Sequence, residues 1–383
     1  MNITYGKPVD IFKLKSDVQE SFLDRVAKHH HKVELLFSDK EVSTITCPVC
    51  GTDCSSQPVI IIHGGKYLEC HKCNHKFVGN RLSLSELVKF YKTSEVYSST
   101  YTNKKTSDQR VKDVSLPKAT WLINEFVKAY GRKPKSILDV GAGGGHMVRA
   151  YNLLGIQAQG IEISKDSNKF AKDNFDLKLL NKDYLKTSLN DFINPPEIIS
   201  FWGVLEHVSS PISFLKKTKT LLSNQKSNLV VAAVPNFRSG STAIQTLYPS
   251  TVLRNIGPES HLHMFTIESI QKAFELTGFE PVAAWYFGMD AYEFWTQIVT
   301  CNRIIEIKQN KDLFFRRLKQ SMAKYKISKS IFKPISNLVE ALIERPDISK
   351  DYNLFNIMLT DLQQNFDRDQ ASDEVVLAGK INK

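Results

Sequence analysis

Ser136 to Val140 (SILDV) runs straight into Gly141, Ala142, Gly143, Gly144 and Gly145, and a helical pattern opens at His146. A strand that ends in glycines can turn tightly and bring bare backbone against a ligand, where a side chain would collide. From Ala119 onward strand-like and helix-like segments alternate, which predicts an α/β domain whose parallel sheet is covered on both faces. The predicted strands are Ser136–Val140, Ala158–Ile163, Leu177–Leu180, Glu197–Trp202, Asn228–Val234 and Phe279–Phe287. A helical stretch follows from Gly288 to about Gln370, and Glu374–Ile381 (EVVLAGKI) reads as one more strand. A strand so far from its sheet makes 288–371 an insertion rather than a separate C-terminal domain.

Glu162 ends the strand after the glycines, 21 positions beyond Gly141. A carboxylate there accepts hydrogen bonds from both hydroxyls of a ribose. Two details separate this turn from a dinucleotide site: His146 stands where a sixth-position glycine is wanted, and Asp139 lies two residues before the first glycine. A carboxylate at 139 suits a cationic, amine-bearing ligand better than a pyrophosphate, which points to S-adenosylmethionine. Asp183, in NKDYL after the third predicted strand, stands where a side chain reaches the exocyclic amine of adenine; its alternative role is a helix cap or an exposed turn acid. Acids at three successive strand ends converge on one crevice.

The segments ILDVGAGGG (137–145), GIEIS (160–164), SFWGVLEHVSSP (200–211), VVAAVPN (230–236) and HLHMFT (261–266) together make Ile137–Trp285 resemble a class I S-adenosylmethionine-dependent methyltransferase. The branch it is most similar to holds ubiquinone-type O-methyltransferases and zinc-domain sugar C-methyltransferases. The resemblance implies a Rossmann-like seven-stranded methyltransferase sheet with a helical insertion before the last strand. It also implies that Asp139, Gly141, Ala142, Gly143, Glu162, Asp183 and Glu206 hold the cofactor. Gly203 stands where the family usually carries an acid, so no hydrogen-bonding role is assigned there. Glu206 and His207 match the family pattern, and Asp361–Lys380 resembles the end that completes the sheet.

Methyl transfer from a sulfonium is an in-line displacement, so the protein aligns the partners and supplies a base when the nucleophile must lose a proton. His207, His263 and His261 are the candidates, in loops or helix starts near the carboxyl ends of the strands. Their alternatives are structural: His207 buttressing the sheet edge, His263 packing beside Met264 and Phe265. Tyr286, Asp290, Tyr292 and Glu293 stand after the sixth strand, either as polar substrate contacts or as aromatic core with two acids.

Cys47-Pro-Val-Cys50 and Cys70-His-Lys-Cys73 are two C-x-x-C pairs separated by 19 residues. Four thiolates in two such knuckles match a closed, structural zinc ribbon, which leaves no open position for catalysis. Cys54, His63, His71 and His75 break the paired spacing. The predicted organisation is a helical leader at 1–42, the zinc ribbon at 43–80, a helix (Leu82–Tyr91) and polar linker (Thr93–Asp113) within 81–118, the methyltransferase core at 119–287, the helical basic insertion at 288–371 and the last core strand at 372–383. The leader's helical spacing runs over 9–38, broken at His29, His30 and His31.

Six cysteines in 383 residues are too few for a disulfide scaffold, and five lie within Cys47–Cys73, which favours a metal site in a reducing compartment. No apolar run approaches the roughly 18 residues of a membrane span, and Met1–Lys13 lacks a secretory signal pattern. A cytoplasmic protein is expected. Of the net charge of +11, +7 falls between Asn302 and Lys350. Such a run is a solvated helical face, or a clamp on substrate phosphates or an anionic membrane surface.

The expected partner is a small-molecule or carrier-linked polar substrate, with a nucleotide-activated sugar or surface-polysaccharide precursor the leading acceptor on the resemblance. RNA or protein methylation is the second reading. Nucleic acid is disfavoured because the ribbon has only Lys66, Lys72 and Lys76 as basic residues and no aromatics spaced for base stacking. A third reading, an inactive zinc-stabilised binding module, conflicts with the intact Asp139, Glu162 and glycines. Oligomeric state stays open.

Overall fold

The computed structural model describes residues 1–7, 20–83, 85–86, 104–249, 256–301, 303–345 and 352–382. Its principal sheet contains β1 (Asn2–Tyr5), β5 (Ser136–Val140), β6 (Gln157–Ile161), β7 (Ile198–Trp202), β8 (Leu229–Pro235), β10 (Phe279–Phe287) and β11 (Glu374–Ile381). The spatial order is β1-β10-β11-β8-β7-β5-β6, with β11 antiparallel to both its neighbours and every other pairing parallel. This is a Rossmann-like α/β sheet. Its order reverses direction beside β5, and the glycine turn sits on the carboxyl edge there, where ligands of open α/β sheets bind.

Alternate residues of the strands face opposite ways, as a period of two requires. Ile137, Ile198, Leu229, Val231 and Trp285 pack against Trp121, Leu122, Phe126 and Tyr151 from the helices Leu116–Tyr130 and His146–Leu153. On the other face Leu138, Val140, Ile199, Phe201, Val230 and Ala232 pack against Leu215, Ile270 and Phe274 from Pro211–Leu222 and Ile267–Leu276. Both faces are covered, which is why β5, β7 and β8 are nearly continuous apolar runs.

The sheet has seven strands, but not the expected seven. Leu177–Leu180 does not become a strand; Leu180 makes only an isolated bridge to Ile161. The chain enters through a left-handed residue at Asp176, and the Lys182 N–H turns back onto Leu180 O (3.0 Å), so no length is left for pairing. The place is made up at the opposite edge by β1, which is too short for its periodicity to show. Its anchors are specific. Trp121 Nε1 donates to Thr4 Oγ1 (3.1 Å), Trp285 Nε1 to Gly6 O (2.7 Å) and the Gly6 N–H to Tyr286 O (2.8 Å).

A second sheet, β2 (Ile60–Ile62), β3 (Gly65–Glu69), β4 (Lys76–Val78) and β9 (His263–Met264), builds the cysteine-rich unit. Its fourth strand comes from the HLHMFT segment of the core, so the cysteine-rich unit is sewn onto the principal domain. The helix Glu20–Phe37 runs unbroken through His29, His30 and His31, contrary to the expected break; His29 Nε2 meets Glu259 Oε1 at 3.1 Å. Residues 9–19 of the expected leader helix, and most of Leu82–Tyr91 and of the linker, lie outside the described residues. Within them, 104–113 is helical rather than linker: it leads through a π turn, Val111–Ser115, into Leu116–Tyr130.

Residues 288–371 supply the helices Asp290–Trp295, Ile304–Gln309, Lys311–Lys324, Phe332–Glu344 and Tyr352–Arg368. They share one apolar core with Val33 and Phe37 of the leader helix and Ile62, Tyr67 and Val78 of the ribbon. Phe314, Leu318 and Met322 are buried while Arg316, Arg317 and Lys319 face solvent, an amphipathic face that accounts for the charge run. Among the described residues no helix is long and apolar enough to cross a membrane.

Deleting residues 1–5 uncovers the β10 edge and removes the Thr4 partner of Trp121. The expected loss is about 1–3 kcal/mol of unfolding free energy, read by urea titration. An unchanged midpoint would show that β1 contributes nothing.

Candidate active site

The turn after β5 needs its glycines at specific places. Gly141 has φ +70°, and a Cβ there would lie 2.7 Å from Val204 Cγ2. Gly143 has φ +51°, and its N–H donates to Glu162 Oε2 at 2.8 Å. The N–H groups of Gly141 and Ala142 both donate to Ile161 O at 2.9 Å. The turn is thereby tied to the end of β6 and holds Glu162 beside it.

Asp139 is 2% exposed, and its Oδ1 accepts a hydrogen bond from Ser200 Oγ on β7 at 2.7 Å. Burial pushes its carboxyl up to about 7; the Ser200 bond pulls it down, Glu162 adds to the rise, and the Lys118 ammonium opposes it. Glu162 has both oxygens engaged by backbone, Oε1 by the Ser164 N–H (2.7 Å) and Oε2 by Gly143. A carboxylate retains further lone pairs for ribose hydroxyls. Asp183 is exposed and accepts from the Leu185 N–H (3.0 Å), capping the short turn Tyr184–Lys186. The cap read as its alternative is therefore present.

The three histidines fall in different settings. His207 keeps 41% of its side chain exposed, with Nδ1 2.8 Å from Ser260 O and Nε2 3.7 Å from Glu206 Oε1. His261 is half-buried with its ring 4.8 Å from that of His207. Glu206 is 3% exposed, and burial raises its pKa, against the His207 charge. Ligand atoms of Glu206, His207 and His261 all lie within 4.8 Å of one another.

His263 does not join them. It is fully buried, with Nδ1 3.1 Å from His75 Nε2 and Nε2 2.8 Å from Val208 O, and burial lowers its pKa to about 3. With both nitrogens engaged it offers no base to a substrate. Its work is structural: its N–H donates to Glu206 O (3.1 Å), so it ties the ribbon to the Glu206–His207 loop. Asp290 is also withdrawn from substrate contact, since it is fully buried and accepts from the Ser241 and Asp373 N–H groups (2.7 and 2.9 Å). Tyr286 is buried against Tyr5. Gly203, at φ +73°, makes the left-handed turn out of β7 that lets Glu206 fold back.

Nothing local in the sequence marks Lys118. Its ammonium is 2.6 Å from Glu374 Oε1 and 5.1 Å from the centres of both the Trp202 and Phe287 rings. A lysine in the first turn of an amphipathic helix reads as a surface charge; only the return of β11 brings Glu374 to it.

The Sγ atoms of Cys47, Cys50, Cys70 and Cys73 all lie within 4.8 Å of one another, with Cys47–Cys73 at 3.6 Å and Cys50–Cys70 at 3.4 Å. These gaps are too long for disulfides and near the roughly 3.8 Å that four thiolates about 2.3 Å from one tetrahedral ion would have. The two knuckles turn alike: the Gly51 N–H donates to Cys47 O (2.9 Å) and the Asn74 N–H to Cys70 O (2.8 Å), both with positive φ. Cys54 is buried outside the set.

Residues 118–284 match a family model described as a methyltransferase domain. A ubiquinone biosynthesis O-methyltransferase of Actinobacillus pleuropneumoniae serotype 5b (strain L20) is 31% identical over 103 residues, 25% of this chain and 44% of that enzyme. One from Dinoroseobacter shibae is 25% identical over 175 residues, 42% of this chain and 70% of that enzyme. The chain thus spans less than half the length of the first of these relatives. Among solved structures, the plantazolicin methyltransferase BamL, crystallised with a triazolic desmethylPZN analog and SAH, is 13% identical with a TM-score of 0.39, over 78% of this chain and 91% of that one. The matched residues hold the glycine turn, Glu162 and the Glu206–His207 loop.

An ammonium-bearing ligand against Asp139 requires the carboxylate ionised, and the ionised fraction rises as pH passes about 7. Affinity for S-adenosylhomocysteine, measured by calorimetry, is expected to rise about tenfold from about pH 6 to about pH 8. Asp139→Asn should bind more weakly at every pH and lose that slope. A wild-type affinity flat across this range would contradict the role of Asp139.

Proposed function

We propose that this chain transfers a methyl group from S-adenosylmethionine to a small or carrier-linked polar acceptor. The observation that carries the reading is the buried Asp139 carboxylate under a glycine turn, with Glu162 held beside it just past the next strand. The cofactor supplies an electrophilic methyl on a sulfonium. Asp139 holds its ammonium group, Glu162 its ribose hydroxyls, Asp183 the adenine amine, and the bare backbone of Gly141, Ala142 and Gly143 lets it approach. Glu206 stands behind the acceptor loop.

His207 takes the proton when the nucleophile carries one. A proton on Nδ1 donated to Ser260 O leaves Nε2, 3.7 Å from Glu206 Oε1, as the basic nitrogen. His261, beside it, orients the acceptor. His207→Asn should lower kcat by about 10²- to 10⁴-fold while leaving S-adenosylhomocysteine affinity unchanged. An equal loss in both would assign His207 to cofactor binding instead.

Cys47, Cys50, Cys70 and Cys73 would hold one structural zinc. Metal analysis should give one zinc per chain, and Cys73→Ser should lose it. Because β9 belongs to both units, this variant should also lower the melting temperature of the whole chain and its turnover. Zinc-free protein with unchanged melting would exclude the structural role.

The finer reading of the acceptor is a nucleotide-activated sugar or surface-polysaccharide precursor, supported by the ribbon joined to this domain. The similarity to ubiquinone biosynthesis O-methyltransferases supports O-methyl transfer to a hydroxyl. A polyanion such as RNA finds less support: of the ribbon's lysines, Lys66 pairs with Glu41 (3.2 Å) and Lys76 with Glu69 (2.9 Å). Incubating nucleotide sugars with the protein and labelled cofactor should give a product heavier by about 14 Da in mass spectra. Labelled methyl appearing only on RNA or protein would overturn the small-acceptor reading.

A further inference from the structure

Lys7 follows the edge strand β1, whose parallel pairing with β10 carries it to the same edge of the sheet as the glycine turn. Its ammonium lies 5.1 Å from the centre of the Phe287 ring at the end of β10, the ring that the Lys118 ammonium also approaches to 5.1 Å. Lys118 has a carboxylate partner in Glu374, whereas the Lys7 ammonium makes no hydrogen bond or ion pair among the described residues. Burial holds Lys7 well below its ordinary pKa; Lys118 and Arg110 push the same way, and Glu374 and Asp113 oppose them. Two ammonium groups therefore share one ring, and only that of Lys118 has a carboxylate in contact. Placing charge in this way is costly unless a further anion completes the cluster.

We propose that Lys7 and Lys118 form the binding site for an oxyanion of the methyl acceptor, a carboxylate or a phosphate, with the Trp202 and Phe287 rings flanking it. This rests on the methyl-transfer reading and deepens it by giving the acceptor a negative charge. The cofactor's own carboxylate is not what Lys7 meets. β10 is four strand positions from β5, about 19 Å at the usual spacing, and Lys7 lies beyond β10 on the far side from Asp139. An amino-acid group whose ammonium meets Asp139 does not span that gap. Lys118 does reach toward both ends, since its charge acts on Asp139 and on Glu206. It would hold the anion at the cofactor side while Lys7 holds it at the sheet edge.

The test uses the full, zinc-replete chain loaded with S-adenosylhomocysteine, titrated separately with 4-fluorobenzoate, followed by fluorine NMR, and with inorganic phosphate, followed by calorimetry. The wild type is expected to bind at least one, and which one distinguishes a carboxylate from a phosphate acceptor. Lys7→Met should weaken that binding by about 10- to 100-fold, the worth of a charge-assisted hydrogen bond, while Lys7→Arg retains it within about threefold. S-adenosylhomocysteine affinity and melting temperature should be unchanged in Lys7→Met, since the variant removes an uncompensated charge. Binding of neither probe by the wild type overturns the proposal. So does equal binding by Lys7→Met, or a parallel loss of S-adenosylhomocysteine affinity in that variant. Failure of the wild type to bind S-adenosylhomocysteine at all would instead overturn the methyl-transfer reading.

Discussion

Burying the Asp139 carboxylate in the middle of an apolar sheet is a cost the fold bears without full compensation. Ser200 supplies one hydrogen bond, and burial still wins, holding the acid to a pKa of about 7. The features around it follow from that constraint. The turn after β5 must pass directly over the acid, so it is built of residues that tolerate positive φ and contact with Val204. The end of β6 must close the other side, so Glu162 is spent partly on the turn's own N–H group. A cation must lie within reach of the acids, and Lys118 provides it.

The ribbon and the insertion are parts of this arrangement rather than appendages. β9 pairs with β4 and, one residue on, its chain bridges Asn236 beyond β8. The His75–His263 pair and the His263 N–H bond to Glu206 O connect the ribbon to the loop that carries His207. The insertion closes the remaining side by packing the leader helix, the ribbon and its own helices into one core. The geometry of Glu206, His207 and His261 therefore depends on residues far away in sequence.

The parts of this structure legible in the sequence are those whose physics is local. The glycine turn, the acids at 139 and 162, the paired cysteines and the return of a last strand all rest on spacing or on conformations few residues adopt. What escaped depends on long-range pairing. A four-residue strand has too few positions to show a period, and β1 exists because Trp121 and Trp285 donate hydrogen bonds to Thr4 and Gly6. Leu177–Leu180 had strand composition but no room between two turns. His263 carried the same chemistry as His207 and differs only in facing His75. Lys118 and Lys7 look like surface lysines until β10 and β11 bring Phe287 and Glu374 to them.

The central claim is that the turn over Asp139 receives the cofactor, and a crystal structure of the chain with S-adenosylhomocysteine tests it most directly. Density is expected for the amino-acid group against Asp139 and for the ribose hydroxyls on Glu162. An empty turn with the ligand bound elsewhere would contradict it.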